Sequence, residues 1–323
     1  MKKQIALFAL SAAAALAAAR GSAWITTKEG ENIRGILAEK SVRVTVNGAP
    51  REIPLKNILS IHAGSEASAG EAKRISEGLA AMAGTDRKRR DGASADLTDI
   101  GIPAITPLLK SYKDTDGHEP LAHYRLFERL IPGYADAADR GADLIRLTGG
   151  EALRGKVETS QWTLTLTDGM KRTVPSASLR RLAMFRSVID RTFEVHSLRH
   201  ATQIEYLDTG IAVDSASRLD IAAKGFVRLS FDIDGWASDP DGIRVPGPNY
   251  KTNLVDGHPF GALVGKTGPG GSVWLSGSHL VKQGIGDGRL FLAVNDNRHW
   301  QNNIGSFQVR LKVNGGFDLG DAR

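Results

Sequence analysis

The chain has 323 residues, 41% of them hydrophobic and 24% charged, with a formal charge of +6. That length predicts more than one domain with real cores, and that composition excludes a disordered chain. There is no cysteine, which excludes disulfides, thiolate zinc sites and a cysteine nucleophile, and a charge excess this small does not imply a nucleic-acid partner.

Lys2 and Lys3 precede a continuous apolar, Ala-rich run from Ile5 to Ala19, and Gly21-Ser22-Ala23 follows. A basic start, an apolar middle and a small-residue end read as a secretory signal peptide over 1–23. The run is shorter than the roughly 20 apolar residues that a spanning helix needs. No later stretch is long enough, so the mature chain is expected to carry no integral membrane segment. With no Cys after the run, a lipid-anchored lipoprotein is excluded. The expectation is an exported protein, in the periplasm or at the extracellular cell surface, and leader removal would take away Lys2, Lys3 and Arg20.

Residues 24–64 are predicted to form a small β module. Val42-Arg43-Val44-Thr45-Val46 alternates, and Asn47-Gly48 closes it with the strongest short hairpin signal. Residues 143–185 repeat the pattern: Gly30 and Gly35 match Gly150 and Gly155, Asn47-Gly48 matches Asp168-Gly169, and Pro54 matches Pro175. The offset is 120 residues at the start and 121 from the turn onward, so one loop of the second copy is a residue longer. Self-similarity of this kind marks a duplicated supersecondary unit, and each copy loosely resembles an SH3-like module without a catalytic group.

Between the copies, 65–142 reads as helical. A charged helix over Arg87–Asp99 ends at Ile100-Gly101, Pro103 opens the next with Ile105, Leu108 and Leu109 as its stripe, and Leu121 to Ile131 forms another before Pro132-Gly133. The stretch around Ile100–Leu109 is similar to the turn of a HEAT-type helical hairpin, which leaves a docking surface and a helical cap as alternatives. Arg87-Lys88-Arg89-Arg90 is flanked by Asp86, Asp91 and Asp96 and reads as a solvated helix face. His196 and His200 have metal-ligand spacing, but Phe193-Glu194-Val195-His196 alternates like a strand, so both are read as structural.

From about residue 195 to 315 short apolar runs alternate with turn residues, as in an antiparallel, jelly-roll-like β-sandwich. The predicted fold class is thus mostly β with an α-helical insert: two small β modules flanking a HEAT-like segment, then the sandwich. Three stretches here come in order: Gly235-Trp236-Ala237-Ser238-Asp239-Pro240-Asp241-Gly242, then Phe260-Gly261-Ala262-Leu263-Val264-Gly265, then Asn295-Asp296 followed by Asn302-Asn303 and Gly305-Ser306-Phe307. Together they resemble the bacterial calcium-dependent galactose-binding lectins (PA-IL-like) and the wider galactose-binding-like sandwich modules, over roughly residues 204–313.

The resemblance implies a calcium ion held by Asp296, Asn302 and Asn303 and by the backbone carbonyls of Asp239 and His299. It implies a vicinal sugar diol completing the coordination, with Asp296 and Asn302 at the ligand. Calcium takes six to eight hard oxygens, which this donor set suits. Trp300 is placed to stack on a sugar face or to fill the core. Two departures stand out. The Asp296–Asn302 loop is one residue shorter than the lectin's, and the region holding the lectin's His and Gln sugar contacts reads Pro248-Asn249-Tyr250-Lys251 here. Galactose specificity therefore does not carry over. A calcium that only staples the fold, or an Asx turn without metal, are the other readings of the loop.

The chain has no Gly-x-Ser-x-Gly elbow and no His-Glu-x-x-His, so an enzyme is not expected. The partner expected is a carbohydrate or cell-surface polysaccharide, not nucleic acid. The alternative is a periplasmic or surface scaffold acting through protein contacts, with structural calcium or none.

Overall fold

The computed structural model describes residues 21–64, 67–114, 142–202, 205–229, 236–243, 255, 257–296 and 303–320. It is mostly antiparallel β with a small helical segment and divides into two units, Met1–Phe185 and Arg186–Arg323. The residues ahead of Gly21, read as a leader, and the helix expected over Leu121–Ile131 lie outside the described residues.

In the first unit the duplication holds element by element. One repeat runs β1 (Ser22–Thr27), β2 (Asn32–Leu37), β3 (Ser41–Val46), β4 (Ala49–Pro54), a single 3-10 turn at Leu55–Asn57 and β5 (Ile58–His62). The other runs β6 (Asp143–Leu147), β7 (Ala152–Val157), β8 (Gln161–Thr165), β9 (Lys171–Pro175), a 3-10 turn at Ser176–Ser178 and β10 (Leu179–His196). Asn47 at φ 49° and Gly48 at φ 79° close the β3–β4 hairpin in two residues, the mirror-image turn that Asn-Gly favours. The β8–β9 connection is longer and absorbs the extra residue of the second copy.

The copies do not fold as two free-standing modules. β2 pairs with β8 and β7 with β3, while β1 pairs with β10 and β6 with β5. The order of pairing is β9-β8-β2-β1-β10-β5-β6-β7-β3-β4, which reads the same from either end once equivalent strands are exchanged. Both copies feed one core: Ile25, Val42, Val44, Ile58 and Ile61 from the first, and Ile145, Trp162, Leu164, Val174 and Leu182 from the second. A repeat this short cannot bury its apolar face alone, and its duplicate offers a matched one. Ser22 and Ala23, read as leader residues, are the first residues of β1. They are 4% and 0% exposed, and Ala23 pairs with both Gly35 and Met184.

The helical segment is inserted between β5 and β6, which are antiparallel neighbours with His62 opposite Leu144. It enters and leaves at one point, where the Gly64 N–H donates to Asp143 Oδ1 at 3.0 Å. Its described helices are α1 (Ala69–Met82), α2 (Arg87–Ile100) and α3 (Ile102–Asp114). Ser68 and Glu71 cap α1 reciprocally. Asp86 accepts the Arg89 N–H at the start of α2, and Gly101 at φ 71° separates α2 from α3. Ile75, Met82, Leu97, Ile100, Ile105 and Leu108 make its core.

The second unit is a sandwich of the later part of β10 with β11 (Leu207–Val213), β12 (Arg218–Arg228), β13 (Ala237–Ser238), β14 (Leu263–Thr267), β15 (Val273–Leu275), β16 (His279–Gln283), β17 (Gly288–Val294) and β18 (Ile304–Asp318). One layer pairs β16-β12-β18-β10 and the other β15-β14-β17-β11. Phe307, Val309, Leu311 and Val313 alternate inward from β18 to meet Leu290, Leu292 and Val294 of β17. Ile189 and Phe193 also belong to this core, so the sandwich starts earlier in the chain than residue 195. His196 ends β10, and its N–H donates to Nδ1 of His200 at 3.0 Å.

Candidate functional site

β17 is buried on both faces: Leu290, Leu292 and Val294 pack in the sandwich, while Phe291 and Ala293 pack with Tyr206 and Val264. The chain therefore leaves this strand inside the protein. Asn295 and Asp296 are 0% and 1% exposed, and Asn303, immediately before β18, is 4% exposed.

Asn295 ties the surrounding loops together. Its N–H donates to Ala262 O at 2.8 Å and its carbonyl accepts the Gly261 N–H at 2.7 Å. Its side-chain Oδ1 accepts from Val255 N–H, and Nδ2 donates to the carbonyls of His258 and Pro259. Leu263 N–H in turn donates to Pro240 O at 2.8 Å. The three stretches singled out in the sequence are thus laced side by side by backbone hydrogen bonds, with the Phe260–Leu263 segment in the middle.

Asp296 is anchored by Thr202. The Asp296 N–H donates to the Thr202 hydroxyl, which donates to the Asp296 carbonyl, both at 3.1 Å. One carboxylate oxygen, Oδ2, accepts from Nδ2 of Asn303 at 2.5 Å. The same amide donates to Ser197 O at 3.1 Å. Its other end, Oδ1 of Asn303, is buried and accepts no hydrogen bond from the described residues. A buried carboxylate beside a buried oxygen lacking a donor is a costly arrangement in a protein interior. Nδ2 is the end of the amide that faces the carboxylate; turned over, the amide would set its oxygen beside Asp296, and carboxylate and amide oxygens are the hard donors that calcium uses. The residues present therefore fit a cation here, with one carboxylate and neutral oxygens rather than a charge cluster. Among the described residues no three His, Asp or Glu side chains gather anywhere.

Asp239 sits in a tight turn. Its carbonyl accepts from Gly242 N–H at 3.1 Å and from the Ser238 hydroxyl at 2.8 Å, and its Oδ1 accepts the Asp241 N–H. Both lone pairs of that carbonyl are occupied, a constraint invisible in the sequence. Asn302, His299 and Trp300 lie outside the described residues. Ser197 and Thr202 are contributors that sequence reasoning missed. They come from the short connection after β10, where no motif marks them.

No protein family and no curated protein matches the chain. Among solved structures it is similar to the N-terminal domain of EclA, described as a PllA-like lectin, at 19% identity over 39% of this chain and 96% of that one, with a TM-score of 0.29. Among the described residues no helix is long and apolar enough to cross a membrane.

Proposed function

We propose that this is an exported, non-enzymatic protein whose sandwich unit binds calcium and, through it, carbohydrate. The observation that carries this reading is the buried pair Asp296 and Asn303, with Oδ1 of Asn303 left without a donor among the described residues. Asp296, Asn302 and Asn303 hold the ion, and the carbonyls of Asp239 and His299 complete the protein's share, the Ser238 hydroxyl rotating off Asp239 to release a lone pair. Bound calcium supplies a Lewis-acidic centre at which paired sugar hydroxyls replace water. Trp300 offers its ring to the sugar's C–H face. The ordered set of sequence motifs supports the lectin-like reading. The missing His and Gln contacts argue for a glycan other than galactose. Export removes a leader ending no later than Gly21, since Ser22 and Ala23 are needed in β1.

Calorimetric titration with calcium, and a glycan array read with calcium and with chelator, test this. Calcium binding that disappears in Asp296→Ala, with calcium-dependent glycan signals, is the expected result. Calcium heat without any glycan signal reduces the ion to a staple, and no calcium heat sinks the proposal.

A further inference from the structure

Gly35 and Gly155 are the same position in the two copies, on β2 and β7. A Cβ built on Gly35 would lie 2.7 Å from Thr165 O and 3.0 Å from the Leu164 Cβ. On Gly155 it would lie 2.4 Å from Thr45 O and 2.9 Å from Val44 Cγ1. Thr165 and Thr45, and Leu164 and Val44, are themselves equivalent positions on β8 and β3. Each glycine is thus the flat spot on which the other copy's strand lies, and the two seams are built alike. Other links between the copies follow the same course. Glu39 Oε1 accepts the Thr163 N–H at 2.9 Å, and Arg172 pairs with Glu31 at 2.7 Å.

We infer that the repeat is a self-pairing module: the surface formed by the free edges of its β1, β2, β3 and β5 fits one kind of partner, a second copy of the same repeat. The helical insert tethers the two and adds one sealed contact to the second copy, between Glu71 and Arg180. Its ends meet at Gly64 and Asp143, so the chain between them spans no distance that pairing depends on. Loop closure raises the local concentration of the second copy, but the strand pairing, the shared core and the paired glycine seams exist without it.

The test uses the full chain with a protease-recognition sequence inserted after Gly133, cleaved to completion and run on size exclusion with light scattering. The two pieces are expected to co-elute at the mass of the intact chain at micromolar concentration, and melting of the first unit becomes concentration-dependent. Gly155→Val in the cleaved protein is expected to weaken association at least tenfold, and Gly35→Val similarly. Gly149→Val, whose Cβ meets open space, leaves it unchanged. Separation of the wild-type pieces on cleavage overturns the inference without needing any variant to fold, and so does equal behaviour of Gly155→Val and Gly149→Val.

Discussion

Arg180, at the start of β10, reaches Glu71 in the first turn of α1, donating from Nε to Oε1 at 2.6 Å in a pair sealed from solvent, 5% and 0% exposed. The other carboxylate oxygen caps its own helix at the Ser68 N–H, and Arg180 also donates to Ala63 O. Glu71→Ala strands a buried guanidinium, so the first unit is expected to lose roughly 3–5 kcal/mol. In a unit of this size that is a melting shift on the order of 10 °C. Adding Arg180→Ala to the same chain should recover part of the loss, and thermal melts of the two singles and the double give the coupling directly.

The sandwich holds a second pair of this type. Arg289 Nη2 lies 2.5 Å from Asp208 Oδ2, and both side chains are largely buried. Burial pushes the Arg289 guanidinium down to about 10, so it stays charged at neutral pH and needs its counter-ion. Asp208→Asn is expected to cost the second unit roughly 3–5 kcal/mol, read by denaturant unfolding, whereas replacing both residues with apolar ones should cost much less.

Asn303→Asp separates a cation site from a plain Asx turn. It sets a second carboxylate beside Asp296, so in chelator the sandwich should melt lower than wild type through like-charge repulsion. In millimolar calcium the loss should be repaired, because an added carboxylate strengthens a hard-cation site. A melting temperature lowered equally in both conditions would mean that no ion binds there.

Ser238→Ala removes the hydroxyl that occupies one lone pair of the Asp239 carbonyl while keeping the Cβ that packs over Gly261. If that carbonyl ligates calcium, affinity should rise by no more than about tenfold, the worth of one hydrogen bond. Calorimetry of the variant measures it, and unchanged affinity would take Asp239 out of the ligand set.

On the outer face of the sandwich Arg310 grips Asp190 with two hydrogen bonds, at 2.9 and 2.6 Å. The Arg310 hydrogen bonds hold the Asp190 carboxyl below the usual range, against a smaller opposing effect of burial, and raise the Arg310 pKa in turn. A depressed carboxyl stabilises the fold above the unfolded value of about 3.9 and loses that contribution as pH falls through the folded value. The melting difference between wild type and Asp190→Asn should therefore be small and constant at neutral pH, then vanish under strongly acidic conditions. A difference that persists there would assign it to packing rather than charge.

The alternation of Val42, Val44, Trp162 and Leu164, and the matched glycines and prolines, made the duplicated strands and the sandwich legible in the sequence. The exchange of strands between copies was not, because periodicity tells which face of a strand is buried but not which neighbour lies at its edge. In the proposed site, Asp296 and Asn303 stand out in the sequence because carboxylate and amide side chains carry their chemistry in their names. Thr202 and Ser197 were not, since a hydroxyl that anchors a backbone group looks like any other until the fold brings it there. Glu71 and Arg180 escaped for a similar reason: each looks solvated in its own stretch.

β1 has β10 as its second neighbour, with Ala23 opposite Met184, and this sets the order in which the chain can be completed. As the chain is made, β1 and β2 can find each other early, but the far edge of β1 waits for nearly the whole first unit to emerge. The sheet therefore closes on contacts distant in sequence, which fold slowly. During that interval the chain carries an open apolar edge, so a holding chaperone acting before β10 arrives should raise the yield of folded protein more than one added afterwards.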